Sequence, residues 1–252
     1  MSLTRLLASV AALCAPAAAL ARPSAGVGSE ILDGSFAARP VPMMALLAAM
    51  ALVPFAILML TSFSKIAVVL SIARSAMGTQ QIPPSTVLTG LAVILSVHVM
   101  APVVQDMWSE GKSAFAEAKD AQDLSALLEA GTRSAGPLRR FLEKHASAED
   151  RALFFDLARQ LRGEAKAGEI SEADLVVTVP AFLISELKGA FQIGFLLFLP
   201  FLVLDMVIAN LLLALGMPSL SPTSVSLPFK LLLFVAVDGW ALLSRGLILG
   251  YR

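Results

Sequence analysis

The sequence predicts an all-α integral membrane protein: two long broken helical hairpins plus a small helical exported (periplasmic) domain. Composition is the first reason. Of 252 residues, 57% are hydrophobic and 15% charged, and mean hydropathy is +0.80, whereas a soluble domain is about 45–50% apolar and about 25% charged. Charge distribution is the second. Residues 106–180 hold 14 of the 19 acidic and 10 of the 19 basic residues. Two long apolar blocks, 41–105 and 181–252, flank that charged stretch and supply the third reason. The formal net charge is zero, so nothing points to nucleic-acid binding.

Residues 1–21, MSLTRLLASVAALCAPAAALA, carry a positive Arg5, a short apolar run and an A-x-A-like end. This fits a signal peptide cleaved after Ala21, with an uncleaved anchor as the alternative. The single cysteine, Cys14, lies in this leader, so no disulfide or cysteine-ligated metal is expected in the mature chain. Residues 22–40 read as an exported linker. Residues 41–63 form an uncharged apolar stretch with Pro54 inside it. About 20 residues are needed to cross a bilayer, so this is the first expected span, kinked at the proline. Residues 64–84 read as a connector whose charges, Lys65 and Arg74, are both positive, which places it on the cytoplasmic side. Residues 85–105 return outward as the second span. Its His98 is expected to be a packed interhelical donor rather than a proton relay.

Residues 106–180 are expected to fold as two to four amphipathic helices. Leu124, Leu127 and Leu128, then Leu138, Phe141 and Leu142, then Leu153, Phe154, Leu157 and Leu161, recur at helical spacing. Ser147, three residues before Asp150, marks a helix start. The charges here are expected to form a solvated face.

Residues 181–252 form the second membrane hairpin: an apolar segment 181–215 broken by Pro200, a Gly/Pro/Ser turn at 217–226, and a last segment 227–248. Five charges lie in or beside these segments: Glu186, Lys188, Asp205, Lys230 and Asp238. At bilayer depth a charge costs roughly 2.5–3.5 kcal/mol, so each needs a partner or a function. Asp205 and Lys230 are equidistant in sequence from Met217–Pro218, so in an antiparallel hairpin they lie at similar depth and can pair. Asp238 is a second candidate partner for Lys230. The pair either locks the hairpin or contacts other subunits or a transported polypeptide. Glu186 and Lys188 are expected at the membrane interface. Helix breakers such as Gly194, Pro200, Gly216 and Pro218 imply a subunit buried in an assembly or lining a pore, because irregular backbone is not tolerated facing lipid.

No H-E-x-x-H, G-x-S-x-G or Walker-type motif occurs. The only histidines, His98 and His145, lie in different regions. No enzyme, cofactor or metal site is therefore expected.

Three runs then carry a resemblance. TSFSKIAVVLSIARSAMGTQQIPP (61–84), VPAFLISELKGAFQIGFLLFLPFLVLDMVIANLLLALGM (179–217) and SPTSVSLPFKLLLFVAVDGWALL (221–243) resemble, in order, three signatures of the FliP/SctR family. Residues 137–161 look more like its injectisome (SctR, YscR, HrcR) branch, and the leader looks more like the flagellar one; the injectisome branch is favoured. The resemblance implies a core subunit of the type III secretion export apparatus in the bacterial inner membrane, within the basal body. It implies a homo-oligomer, a pentamer, working with SctS/FliQ-type and SctT/FliR-type subunits and other export proteins to pass unfolded secreted proteins. It also implies that the apolar segments can stand largely above the bilayer once assembled. Family members carry a methionine run after the LG of the third segment, forming a gasket round the pore. Here only Met217 is retained, with Leu220 as an apolar substitute. A rival class is a small-molecule or ion transporter with Asp205 and Lys230 as coupling sites.

Overall fold

The computed structural model describes residues 40–79, 82–121, 130–162 and 170–252. The leader with Ala21, nearly all of the linker, and Leu124, Leu127 and Leu128 lie outside the described residues. Every regular element among the described residues is a helix, so the chain is an all-α membrane protein. Besides a helical turn at 130–134, the helices are α1 (Pro40–Met59), α2 (Phe63–Ala76), α3 (Ser85–Ala121), α4 (Gly136–His145), α5 (Ala148–Arg162), α6 (Leu175–Ala214), α7 (Pro222–Ala236) and α8 (Gly239–Leu249). The chain divides into two compact units, the first ending at Pro54 and the second running Phe55–Arg252. The described part of the first unit is the start of α1, helical from Pro40. All that follows concerns the second.

The core is built round α2, the stretch read from sequence as a connector. Ile66, Val69, Leu70 and Ala73 are fully buried and recur at i, i+3, i+4 and i+7. Ile66, Val69 and Leu70 pack with Leu88, Ala92 and Leu95 of α3, Ala190 of α6 and Leu247 of α8. The expectation of a loop is therefore corrected. The first apolar stretch ends at Met59, the chain bends by 63° at residues 60–62, and the antiparallel partner of α3 is α2. The bend lies beyond Pro54, which is accommodated inside α1. Thr61, Ser62 and Ser96 satisfy one another there: Ser62 Oγ donates to Ser96 Oγ at 3.1 Å, and Ser96 Oγ to Thr61 Oγ1 at 3.4 Å.

α6 runs alongside α2. Lys65 meets Glu186, and Ile72 meets Gly194. A Cβ on Gly194 would fall 2.5 Å from Ile72 Cδ1, so the two helices approach closely only because this residue has no side chain. With 40 residues, α6 is about 60 Å long at ~1.5 Å per residue, twice the ~30 Å hydrocarbon core. Its N-terminal part packs on the charged segment, where Ala181 and Phe182 meet Phe141, Leu142 and Ala146. α3 likewise runs unbroken through the 105/106 boundary.

α3 and α6 are each long and apolar enough to cross a membrane, and the bent pairs α1–α2 and α7–α8 add up to two further spans. The α7–α8 bend is 59° and is made at Val237–Asp238, where Asp238 takes φ 51° and precedes the first residue of α8.

Candidate functional site

The α6–α7 hairpin is fixed at both ends. At its tip the last turn of α6 closes in a Schellman motif: Met217 N–H donates to Leu212 O at 3.0 Å and Gly216 N–H to Leu213 O at 3.1 Å. That geometry requires the left-handed φ of +70° at Gly216. α7 then starts with Pro222 in its first turn, where the missing N–H is not needed. The result is a defined tip at 215–221 from which Met217 and Leu220 project, each 47% exposed. These are apolar side chains held out at the end of a helical hairpin.

Three turns back, Lys230 Nζ lies 2.6 Å from Asp205 Oδ2, and Ser226 Oγ donates to Asp205 Oδ1 at 2.5 Å. The lysine side chain is 4% exposed and the aspartate 32%. Phe201 and Phe234, each four residues further from the tip, pack together in the next layer with Ala76 and Met77. Lys230 Nζ also approaches Gly78 at the end of α2. The cation thus sits between a carboxylate and a helix C-terminus, both favourable to it. Asp238 is not part of this arrangement; it is exposed at the α7–α8 bend, and among the described residues it has no ion pair.

Glu186 and Lys188 are not simply interfacial. Glu186 is 1% exposed, with Lys65 Nζ 3.2 Å from Oε1 and the Tyr251 hydroxyl donating to Oε2. Lys65 also lies over the Tyr251 ring, 4.9 Å from its centroid. Tyr251 in turn stacks on Phe141 and meets His145 edge-on. Lys65 is therefore an internal counter-ion, which removes one of the two positive charges that argued for a cytoplasmic connector. Gly189 leaves it the room.

Lys188 Nζ lies 2.5 Å from Asp150 Oδ1, and Ser185 and Ser147 donate to Asp150 Oδ2 at 2.6 and 2.8 Å. The backbone N–H of Asp150 returns a bond to Ser147 Oγ at 3.1 Å. The helix start read at Ser147 is therefore present. Its aspartate, however, is buried and joins α5 to α6 rather than forming part of a solvated face. Burial opposes ionisation of Asp150, but the bonds from Lys188, Ser185 and Ser147 outweigh it and hold the carboxyl below its usual 3.8. His145 is lowered to about 4, by burial first and then by Lys144 and Lys65. His98 is exposed on α3 rather than packed.

Sequence reasoning read Asp150 only as part of a helix start, and it passed over Tyr251 and Arg245, the last an exposed charge in α8. Asp150 had a signal in its Ser147 cap. Tyr251 had none, because its partners come from three distant segments. Among the described residues no three His, Cys, Asp or Glu side chains are placed to hold a metal.

Comparison with known proteins adds the family. Residues 46–247 match the sequence profile of the FliP family. The chain is 46% identical over 204 residues to the hypersensitivity response secretion protein HrcR of Ralstonia nicotianae, covering 81% of this chain and 94% of that protein. It is 43% identical over 208 residues to the Yop proteins translocation protein R of Yersinia pestis, covering 81% and 93%. It is 39% identical over 251 residues to the flagellar biosynthetic protein FliP of Caulobacter vibrioides, covering 98% and 89%. On these matches the chain belongs to the FliP family.

Proposed function

We propose that this chain is a subunit of a type III protein secretion export apparatus in the bacterial inner membrane. Several copies, five on the family pattern, assemble with S- and T-type export subunits into a gated channel for unfolded proteins. The α6–α7 tip forms its constriction. The observation that carries this reading is the tip: two apolar side chains, Met217 and Leu220, are exposed at the end of a hairpin held by a Schellman turn and an internal ion pair. A ring of such tips would close a pore to water and ions yet yield to a polypeptide, because the methionine thioether chain is unbranched and adaptable. Most of the apolar window of α6 is uncovered by the chain itself, which suits a surface meant for other subunits. The Asp205–Lys230 pair holds the tip at fixed depth, and residues 106–180 form the exported domain. The injectisome branch rests on residues 137–161, since secretion and flagellar relatives match at similar identity.

The test is solute leakage through the assembled complex in vesicles. Met217→Ala and Leu220→Ala together should raise leakage of a small dye severalfold without changing assembly. Unchanged leakage with intact assembly rejects the constriction. Transport of a small solute by this chain alone, without partners, would instead favour the transporter class.

A further inference from the structure

The bent pair α7–α8 is long and apolar enough to count as a broken span, yet α8 carries two charges on its outer side. Its inner side is covered: Leu247 is buried, and Trp240 and Leu243 pack into the same cluster. The opposite face is uncovered. Asp238, Leu242, Arg245 and Leu249 recur at i, i+4, i+7 and i+11, the spacing of one helical stripe. The two leucines are 58% and 50% exposed, and both charged residues are exposed. Beside them, a Cβ on Gly246 would meet nothing within 4 Å.

Neither charge is satisfied within the chain. Among the described residues, the Asp238 and Arg245 side chains have no ion pair and no hydrogen bond. They stand about 10 Å apart along the axis, whereas side chains that meet on a helix are three or four residues apart, so they do not neutralise each other. A charge kept at membrane depth has a partner or a function. The stripe states what that partner must carry: a base at one end, an acid two turns along, and apolar side chains between. A second copy does not supply this. The apolar stretches 41–59, 85–105 and 189–251 hold four Asp, Glu, Lys or Arg side chains, Asp205, Lys230, Asp238 and Arg245, and the first two hold each other. In α2, Lys65 is bound to Glu186, and Arg74 donates to Pro83 O at 3.4 Å. Only the same face of a second copy would therefore offer both charges. Two copies inserted in the same direction lay that face parallel, Asp238 against Asp238 and Arg245 against Arg245, where like charges repel.

We propose that this face of α8 docks an apolar membrane helix of a different subunit, one that sets a basic side chain against Asp238 and an acidic one, two turns along, against Arg245. The inference rests on reading the chain as one subunit of a multi-protein assembly, and it adds which face meets an unlike partner and by what chemistry. Gly246 lets the partner's backbone come close, as small residues do between membrane helices. Leu242 fills the space between the two pairs, and exclusion of water there strengthens both.

The experiment is photo-crosslinking in the complex purified in mild detergent from cells that make it, with a benzophenone amino acid replacing Leu242 between the two charges. It should join this chain to one other protein, at a helix that carries an acid and a base two turns apart. Arg245→Glu should lower the yield severalfold, and changing the opposing acid to lysine should restore it. Asp238→Asn should lower the yield as well; asparagine tolerates the left-handed φ of 51° taken there, so the bend is kept. Both side chains are exposed and unbonded within the chain, so the fold does not depend on either. A crosslink to a second copy, to lipid alone, or to a helix without the opposing charges overturns the proposal, as does a yield unmoved by both substitutions. In each of these cases co-purification of other subunits leaves the assembly reading standing. A chain that purifies with no other protein overturns both.

Discussion

At Asp205 and Lys230 the two partners are unequal, and the consequences of removing them should be too. Lys230 is almost fully enclosed, while Asp205 is about one-third exposed and keeps a second bond from Ser226. Asp205→Asn leaves an enclosed ammonium without its counter-ion, and stranding a buried charge costs roughly 3–5 kcal/mol. Lys230→Met leaves a carboxylate with a hydroxyl partner and a path to water, so its cost should be clearly smaller. Thermal unfolding of the two variants in detergent gives the order; equal costs would mean that the lysine is not enclosed as described. Exchanging the two residues should recover part of the loss. The charged segment offers a second residue-scale test. The Asp150 carboxyl is held low in the fold, so its contribution is fully present above 3.8 and is lost as pH falls through its lowered folded value. His145 stays neutral down to about 4 in the fold but takes up a proton near 6.5 when unfolded. It therefore draws stability down as pH falls from 6.5 to 4. The unfolding midpoint should fall in that upper window first, and His145→Gln should flatten it there. Asp150→Asn should instead lower stability at neutral pH and reduce the further loss in strong acid. A profile unmoved by His145→Gln would show that this ring does not stay neutral in the fold.

Among the helices, α2 and α6 meet at a point with no spare room. A methyl on Gly194 would reach 2.5 Å from Ile72 Cδ1 and 2.8 Å from Cγ2. Gly194→Ala should therefore destabilise by about 1–3 kcal/mol, the usual cost of overpacking. Ile72→Ala in the same chain should recover much of it; no recovery would place the strain in the α6 backbone instead. This contact also marks where the sequence could be read and where it could not. The long apolar helices α3 and α6 announce themselves by length and hydropathy. The α6–α7 hairpin follows from the equidistance of Asp205 and Lys230 about the turn. α2 was legible in principle, since Ile66, Val69, Leu70 and Ala73 keep helical spacing. Two positive charges on a short segment instead suggested a loop. What hid it was the partner of Lys65: Glu186 is 121 residues away, and no local pattern couples a charge on one helix to its counter-ion on another. The same holds for Asp150, whose cap was visible but whose partner Lys188 was not.

Across the whole second unit, one side chain ties the apolar helices to the charged segment. Tyr251 follows α8, gives its hydroxyl to Glu186 on α6, lies beneath Lys65 of α2, and packs on Phe141 and His145 of α4. Glu186 sits deep in the chain with two donors, Lys65 and Tyr251. Tyr251→Phe keeps the ring and its contacts but withdraws one donor from an enclosed carboxylate, a loss of about 1–3 kcal/mol. Tyr251→Ala also removes the ring and should cost more, about 3–5 kcal/mol by analogy with other aromatic deletions. If Tyr251 couples the two regions, the phenylalanine variant should weaken protection of α4 and of the first turns of α6 together in hydrogen exchange. The α6–α7 tip, which is held by its own turn and its own ion pair, should be unaffected. Loss confined to residues 249–252 would mean that the tyrosine only anchors its own segment. Loss extending to Met217 would mean that the tip depends on the charged segment, so that a change in that segment would act on the proposed constriction.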